Sequence, residues 1–257
     1  MLWARSEQAE VYLSPDCVGL ASDRAGAPEW TEVSDLDTAL ARMAAALTRA
    51  PLQSCARVRV WLSSTLARPL MVSAASGART RDEAKDLAAM LAADATGFDE
   101  PVRVWASAWR INHGGMVVVM PERVWTALHA AVDRVREQRA QARGRKVARP
   151  LELVSVRPWW NHAIDAVIAE SARDSNRIGW SLMEGVSVVH GIVDKGQAVE
   201  AGFDQLTAHD PDGTLLRRRL MVNWEGVEAS RHLEFDREVT GANAALGGWR
   251  ESARSSA

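Results

Sequence analysis

Two tight turns in this chain are the places where phosphate chemistry could occur. Each turn joins two apolar, strand-like stretches: Ser14-Pro15-Asp16-Cys17 and Met183-Glu184-Gly185-Val186. A turn binds phosphate when its backbone N–H groups converge on the anion. Proline has no N–H, and the carboxylates of Asp16 and Glu184 repel phosphate. The chain also has neither G-x-x-x-x-G-K-[ST] nor a strand followed by G-x-G-x-x-G. The sequence therefore predicts no nucleotide cofactor.

Metal and nucleophile chemistry have equally little support. The six histidines are scattered and form no H-x-x-x-H pair. His162 and Asp165 at a helix start fit a hydrogen-bonded or solvated pair better than a metal or catalytic site. The stretch 209–213 resembles the start of a calcium loop but lacks the later acidic ligands, so we expect a turn. Neither cysteine belongs to a C-x-x-C pair, and no G-x-S-x-G occurs. We predict no metal and no catalytic residue.

A basic stretch near the middle of the chain is the strongest candidate for contact with a partner. It could be a solvated helix end, a protein-binding surface or a nucleic-acid contact. No aromatic residues are interleaved to stack bases, which disfavours nucleic acid. We predict protein-partner contacts by its residues Arg136, Arg139, Arg143, Arg145 and Lys146.

Tryptophan is unusually frequent, with 11 Trp against 3 Phe and 1 Tyr. Trp61 and Trp109 fall opposite the aliphatic face of a strand or at a strand end. Either a second layer of the protein covers them, or they form a partner-binding surface. We favour the second layer and keep both residues as candidates for partner binding.

Strands and helices that would position these residues follow from hydrophobic periodicity. Residues 57–63 alternate, with Val58, Val60 and Leu62 on one face. Ser34 or Asp35 caps a helix whose apolar face is Leu36, Leu40, Met43 and Leu47. A second helix over 79–96 is predicted to turn Ala84, Leu87, Ala88 and Leu91 inward. Further helices begin at Pro121 and Pro158, and the remaining elements are mostly short strands with antiparallel pairing.

One hairpin occurs twice. The stretch VYLSPDCVGLAS from Val11 lies over WSLMEGVSVVHG from Trp180 at an offset of 180 − 11 = 169, without a gap. The similarity is either chance resemblance of two hairpins or a duplicated architecture.

Composition describes an ordinary globular protein of 257 residues, with 47% hydrophobic residues, a net charge of −2 and a pI near 6.3. Near-zero charge gives no global attraction to nucleic acid or anionic lipid. Residues 1–10 lack the apolar core of a signal peptide, and no apolar run reaches the ~18 residues of a spanning helix. We expect a cytoplasmic protein without direct membrane insertion.

Three stretches resemble a known family: 58–105, 114–134 and 151–165, the last leading into the second hairpin. With the repeated hairpin, they are similar to the actin-like cytoplasmic proteins of bacterial type IV pilus and type II secretion machines, the pilus M protein and the cytoplasmic part of the secretion L protein. The resemblance implies an α/β, mixed-sheet, actin-like (ribonuclease H-like) duplicated architecture with a small inserted subdomain. We expect a first lobe over 1–150 with the insertion at about 68–110, a shortened second lobe over 151–240, and a flexible tail over 241–257.

This resemblance also implies a role. Such proteins are scaffolds that link an assembly ATPase to inner-membrane components. The predicted partners are proteins of that platform, with no nucleic acid, and a homodimer is compatible with the sequence. The chain would lie in the cytoplasm, or at the inner membrane through its partners. Neither turn carries the family's Asp-x-Gly phosphate signature, which favours a non-catalytic, degenerate member. The alternatives are an ATP-binding phosphotransferase of the actin/sugar-kinase superfamily and a nucleic-acid binder that uses the basic stretch.

Overall fold

The computed structural model describes residues 7–22, 27–105, 114–143, 150–206, 226–237, 246 and 248–251. The strands in these ranges are β1 Gln8–Leu13, β2 Cys17–Ser22, β3 Glu29–Glu32, β4 Arg57–Leu62, β5 Arg68–Val72, β6 Val102–Trp105, β7 Gly115–Pro121, β8 Glu152–Pro158, β9 Arg177–Glu184, β10 Ser187–Asp194, β11 Gln197–Gln205, β12 Ala229–Asp236 and β13 Gly248–Glu251. The α-helices are α1 Leu36–Leu47, α2 Arg81–Thr96, α3 Glu122–Arg143 and α4 Trp160–Asp174.

These elements form two compact units. Unit 1 contains residues 1–66, 123–159 and 237–248, and unit 2 contains 67–122, 160–236 and 249–257. Each unit is therefore discontinuous in sequence.

Unit 1 is built on a mixed five-stranded sheet with the order β3-β2-β1-β4-β8. The β1–β2 and β2–β3 pairs are antiparallel, and β4 runs parallel to both β1 and β8. The predicted alternation of β4 is confirmed, because Val58, Val60 and Leu62 are fully buried. Helix α1 contacts β1 and β2 and buries Leu40 and Met43.

Unit 2 repeats this pattern with the order β11-β10-β9-β12-β13, again with an antiparallel hairpin and a parallel strand, β12, beside its first strand. Helix α4 packs on β9, β10 and β11. The inserted part is a small antiparallel sheet of order β5-β7-β6, covered by α2. A buried apolar cluster that includes Leu70, Val117 and Val119 fills the space under the helix.

The two hairpins are equivalent, but the structural register differs by one residue from the sequence alignment. In the first hairpin Leu13 pairs with Val18, and in the second Met183 pairs with Val188. Leu13 therefore corresponds to Met183, an offset of 183 − 13 = 170. The error has a physical cause, because β9 is buried at almost every position and offers no alternation to fix the register. A shift of one residue moves each side chain to the other face of a sheet.

Strand β13 lies inside the stretch 241–257 that the sequence predicted to be a flexible tail. Polar and aromatic contacts hold it against β12. Arg231 donates to Glu251 at 2.9 Å, Arg250 pairs with Asp236, and the Phe235 and Trp249 rings meet edge-on at 5.9 Å. The small and polar composition of this stretch concealed a short edge strand.

Candidate functional site

Hydroxyl and carboxylate groups gather at the carboxyl ends of β1 and β4 in unit 1. The Ser63 backbone N–H donates to the Leu13 carbonyl at 2.9 Å, which fixes the two strand ends side by side. The hydroxyls of Ser63 and Thr65 lie 2.5 Å apart. Ligands of open α/β sheets bind at the carboxyl ends of parallel strands. This edge is therefore the candidate ligand site of unit 1.

The first hairpin turn projects from this edge. The Ser14 N–H closes the turn by donating to the Cys17 carbonyl at 3.0 Å, and the Ser14 hydroxyl donates to the Asp16 carboxylate. Pro15 supplies no N–H, and Asp16 is exposed at the tip. The turn thus presents a carboxylate where an anion-binding turn presents N–H groups.

The second hairpin turn has a glycine but also an acid. Gly185 has φ of +62° and open space around its Cα, so glycine is favoured there by the backbone conformation. Glu184, which is 9% exposed, directly precedes it and pairs with Ser187 across the turn. A buried carboxylate beside the turn opposes phosphate binding.

A row of polar side chains crosses one face of the unit 2 sheet, and sequence analysis missed it. Ser181 of β9 lies between His190 of β10 and His232 of β12 in direct register. Ser181 Oγ and His232 Nδ1 are 2.8 Å apart, and His190 Nε2 lies 3.1 Å from Asp204 Oδ2 of β11. Ser181 lies as many residues before the second turn as His190 lies after it. This symmetry in the sequence could have revealed their pairing.

In unit 1 the matching positions are apolar. Counted from the hairpin turns, Ser181 corresponds to Val11 and His190 to Leu20, and both unit 1 residues are buried. His232 corresponds to Val60, because these residues pair with Ser181 and Val11 in the parallel strands. Duplicated positions are thus aliphatic in one unit and polar in the other. The row supplies imidazole, hydroxyl and carboxylate groups in a mostly buried setting.

The basic stretch does not present all its arginines to solvent. Arg139 is 6% exposed, and its guanidinium donates to the carbonyls of Leu47, Leu52 and Cys55 at 2.9, 3.0 and 2.7 Å. Arg139 is therefore an internal residue, which corrects its predicted role in partner binding. Arg136 donates to the Leu151 carbonyl and to Asp133, both at 2.7 Å. Arg143 ends α3, while Arg145 and Lys146 lie outside the described residues.

Trp61 is also internal. It is 6% exposed and meets Trp159 edge-on at 5.2 Å, while Trp159 contacts Tyr12 at 6.2 Å. The Arg59 guanidinium lies 5.7 Å from the Trp61 ring. The favoured interpretation, a second layer over this face, fits Trp61, and the idea that it forms an exposed surface is wrong. Trp109 lies outside the described residues.

The described residues contain neither a cluster of metal ligands nor a membrane-spanning helix. Where the structure describes the chain, no three His, Cys, Asp or Glu side chains are arranged to hold a metal ion. The stretch 209–213 lies outside this part. None of the helices in the described ranges is both long and apolar enough to cross a membrane.

The sequence matches no family model and no curated protein. Among solved structures, this protein is similar to a Bacteroides thetaiotaomicron protein with an actin-like ATPase fold and unknown function, at a TM-score of 0.53 and 12% identity, over 86% of this chain and 79% of that chain. It also matches the cytoplasmic domain of EpsL, an inner-membrane component of the Vibrio cholerae type II secretion system (TM-score 0.46, 18% identity, 93% and 86% coverage).

The PilM–PilN type IV pilus biogenesis complex matches at a TM-score of 0.48 and 12% identity, over 85% of this chain and 66% of that chain. Phosphatases of the Ppx/GppA family match at lower TM-scores of 0.35 and 0.34. At these identities a likeness concerns the fold alone. The mixed sheets, the repeated hairpin and the inserted subdomain give this chain the actin-like fold, as the sequence predicted.

Proposed function

We propose that this protein is a non-catalytic scaffold that binds protein partners on an actin-like fold. In this proposal it serves a type IV pilus or type II secretion machine, where it links the assembly ATPase to inner-membrane components. The choice of machine rests on the sequence resemblance of the three stretches named above. The chain would act in the cytoplasm and reach the inner membrane only through its partners.

The observation that carries the proposal is the chemistry of the two hairpin turns. Pro15 removes an N–H from the first turn and Asp16 adds an exposed carboxylate, while Glu184 places a carboxylate beside the second. Two unit charges about 4 Å apart interact by about 1 kcal/mol even in water, and by more near a protein surface. A triphosphate at either turn would meet this repulsion, and at the first turn it would also find one N–H donor fewer.

A phosphotransferase is the second candidate, and the carboxyl edge of unit 1 favours it. Asp16, Ser63 and Thr65 place a carboxylate and two hydroxyls at the ends of parallel strands. Carboxylate and hydroxyl oxygens suit Mg²⁺, which often accompanies phosphate substrates. This enzyme would need the phosphates to be held by groups other than the two turns.

Calorimetric titration of ATP into the purified chain, with and without Mg²⁺, separates the two candidates. The scaffold proposal expects no binding tighter than about 1 mM in either condition. Magnesium-dependent binding in the micromolar range would overturn it and favour the phosphotransferase.

A further inference from the structure

Helix α2 leaves two of its large apolar side chains, Met90 and Leu91, exposed to solvent. Its buried positions are small, one in every four residues: Ala84, Ala88, Ala92 and Thr96. Met90 is 80% exposed and Leu91 is 43% exposed, although the sequence predicted Leu91 to point inward. The alanine stripe lets α2 lie close to the small sheet, and the larger residues remain outside.

The exposed apolar residues form one patch. Leu87 is half-buried against the core beneath α2, and Met90 and Leu91 follow it by three and four residues. Residues at these spacings are neighbours on a helix surface. Pairs of packed helices make contact through apolar residues at these same spacings. A partner that covers this patch would remove its apolar surface from water, which favours association.

Acidic residues border the patch. Met90 lies between Asp86 and Asp94, four residues away on either side, and Glu83 stands one turn before Leu87. All three acids are exposed. The helix holds four acidic residues against Arg81 and Lys85, and Lys85 is paired with Asp82 at 2.8 Å. The charge that a partner meets around Met90 is therefore negative.

We propose that this surface, the α2 face formed by Leu87, Met90 and Leu91 with Glu83, Asp86 and Asp94, binds a basic amphipathic helix of a partner protein. The apolar anchors select an amphipathic helix, and the acidic border selects Lys and Arg beside its apolar stripe. The inference deepens the proposed scaffold role by giving the class of partner. The nucleotide titration does not involve this face. The scaffold proposal and the partner proposal can therefore fail independently of each other.

Peptide selection tests the chemistry of the partner directly. A random 16-residue peptide display library is panned on the full chain, and enriched peptides are synthesised and titrated by fluorescence anisotropy. We expect peptides with apolar residues at i, i+3 and i+4 and with flanking Lys or Arg. The double variant Met90→Ser/Leu91→Ser should weaken their binding at least about tenfold, as loss of central anchors does.

Charge is tested with a matched pair of single variants. Asp94→Lys should weaken binding several-fold, with the difference shrinking at high salt because exposed charges are screened. Glu137→Lys, which changes an exposed acid on α3, should leave binding unchanged. The proposal is overturned if no peptide is enriched, if the enriched peptides lack Lys and Arg, or if the serine variant binds them as well as the wild type. It is also overturned if the wild type sediments as a dimer and the serine variant as a monomer, because the patch would then bind a second copy of this chain.

Discussion

Arg139 illustrates how a charged residue can be misread from its neighbours in sequence. It stands in a basic stretch, yet it continues the buried face of α3 marked by Val132 and Val135, which lie seven and four residues before it. Its guanidinium caps Leu47, the last residue of α1, where helix carbonyls lack intrahelical partners. The helix dipole also favours a cation there. The spacing from Val132 and Val135 alone predicts that Arg139 is buried. The many charged residues around it in the sequence obscured this signal.

Replacing Arg139 by Ala should lower the free energy of unfolding by about 2–4 kcal/mol, because several buried carbonyls would lose their donor. Urea denaturation followed by tryptophan fluorescence measures the change. Arg134→Ala, on the exposed side of the same helix, is the control and should change stability by less than about 0.5 kcal/mol. Equal stabilities for the two variants would show that the Arg139 contacts contribute little.

At the scale of elements, local signals were most reliable where side chains alternate or cap. The helix cap predicted at Ser34 or Asp35 is Asp35, whose carboxylate accepts from the Thr38 N–H at 2.7 Å. In α2 the predicted inward residues Ala84, Leu87 and Ala88 do face the core and Leu91 does not, while in β9 the hairpin alignment was one residue out. Alanines replaced large residues on the inner face of α2, and β9 is buried on both faces. Periodicity assumes that the larger apolar residues face inward, which misleads in α2, and it cannot assign a face to β9, whose two faces are both buried.

The Asp35 cap should make stability pH-dependent. The hydrogen bond from the Thr38 N–H, followed by the one from Ser34, lowers the pKa of Asp35 below its usual 3.8. A lowered pKa means that the stabilisation is present above pH 3.8 and is lost as pH falls through the folded-state pKa.

Thermal unfolding of Asp35→Ala and wild type between pH 7 and about pH 3 measures this effect. We expect Asp35→Ala to melt at a lower temperature at neutral pH, with the gap narrowing in acid. Asp35→Asn keeps an uncharged cap, so its advantage over Asp35→Ala should persist across the range. A gap between wild type and Asp35→Ala that does not change with pH would contradict the role of the charged cap.

The polar row of unit 2 allows a second prediction for elements. A combined variant, Ser181→Val/His190→Leu/Asp204→Thr/His232→Val, gives this row the residues at the matching positions of unit 1, where Thr31 pairs with Val18 as Asp204 pairs with Val188. Replacing a mostly buried set of paired polar groups as a whole, here largely by apolar side chains, is often neutral or stabilises by about 1–4 kcal/mol. Single replacement of His190 by Leu should destabilise, because the Asp204 carboxylate would lose its contact with the imidazole. Urea denaturation of both variants checks the two signs, and a combined variant less stable than His190→Leu would contradict the equivalence of the rows.

At the scale of the whole molecule, the repeated hairpin and the resemblance of three further stretches together predicted the actin-like fold. Both hairpins exist, each beside a parallel strand, in sheets of matching order. The discontinuous units could not be predicted, because they depend on long-range contacts that leave no local pattern. The polar row was hidden for the same reason, since Ser181 and His232 are 51 residues apart. The function is even harder to predict than these structural features, because one fold hosts many activities.

The most direct test of the central idea, that the hairpin turns have lost phosphate binding, is Mg-ATP calorimetry on two proteins side by side. We expect no binding tighter than about 1 mM for the wild type. For the variant Pro15→Gly/Asp16→Gly, which restores an N–H and removes the exposed carboxylate, we expect measurable heat. Micromolar binding by the wild type would contradict the scaffold proposal, and a variant that binds no better than the wild type would contradict the explanation from the turns.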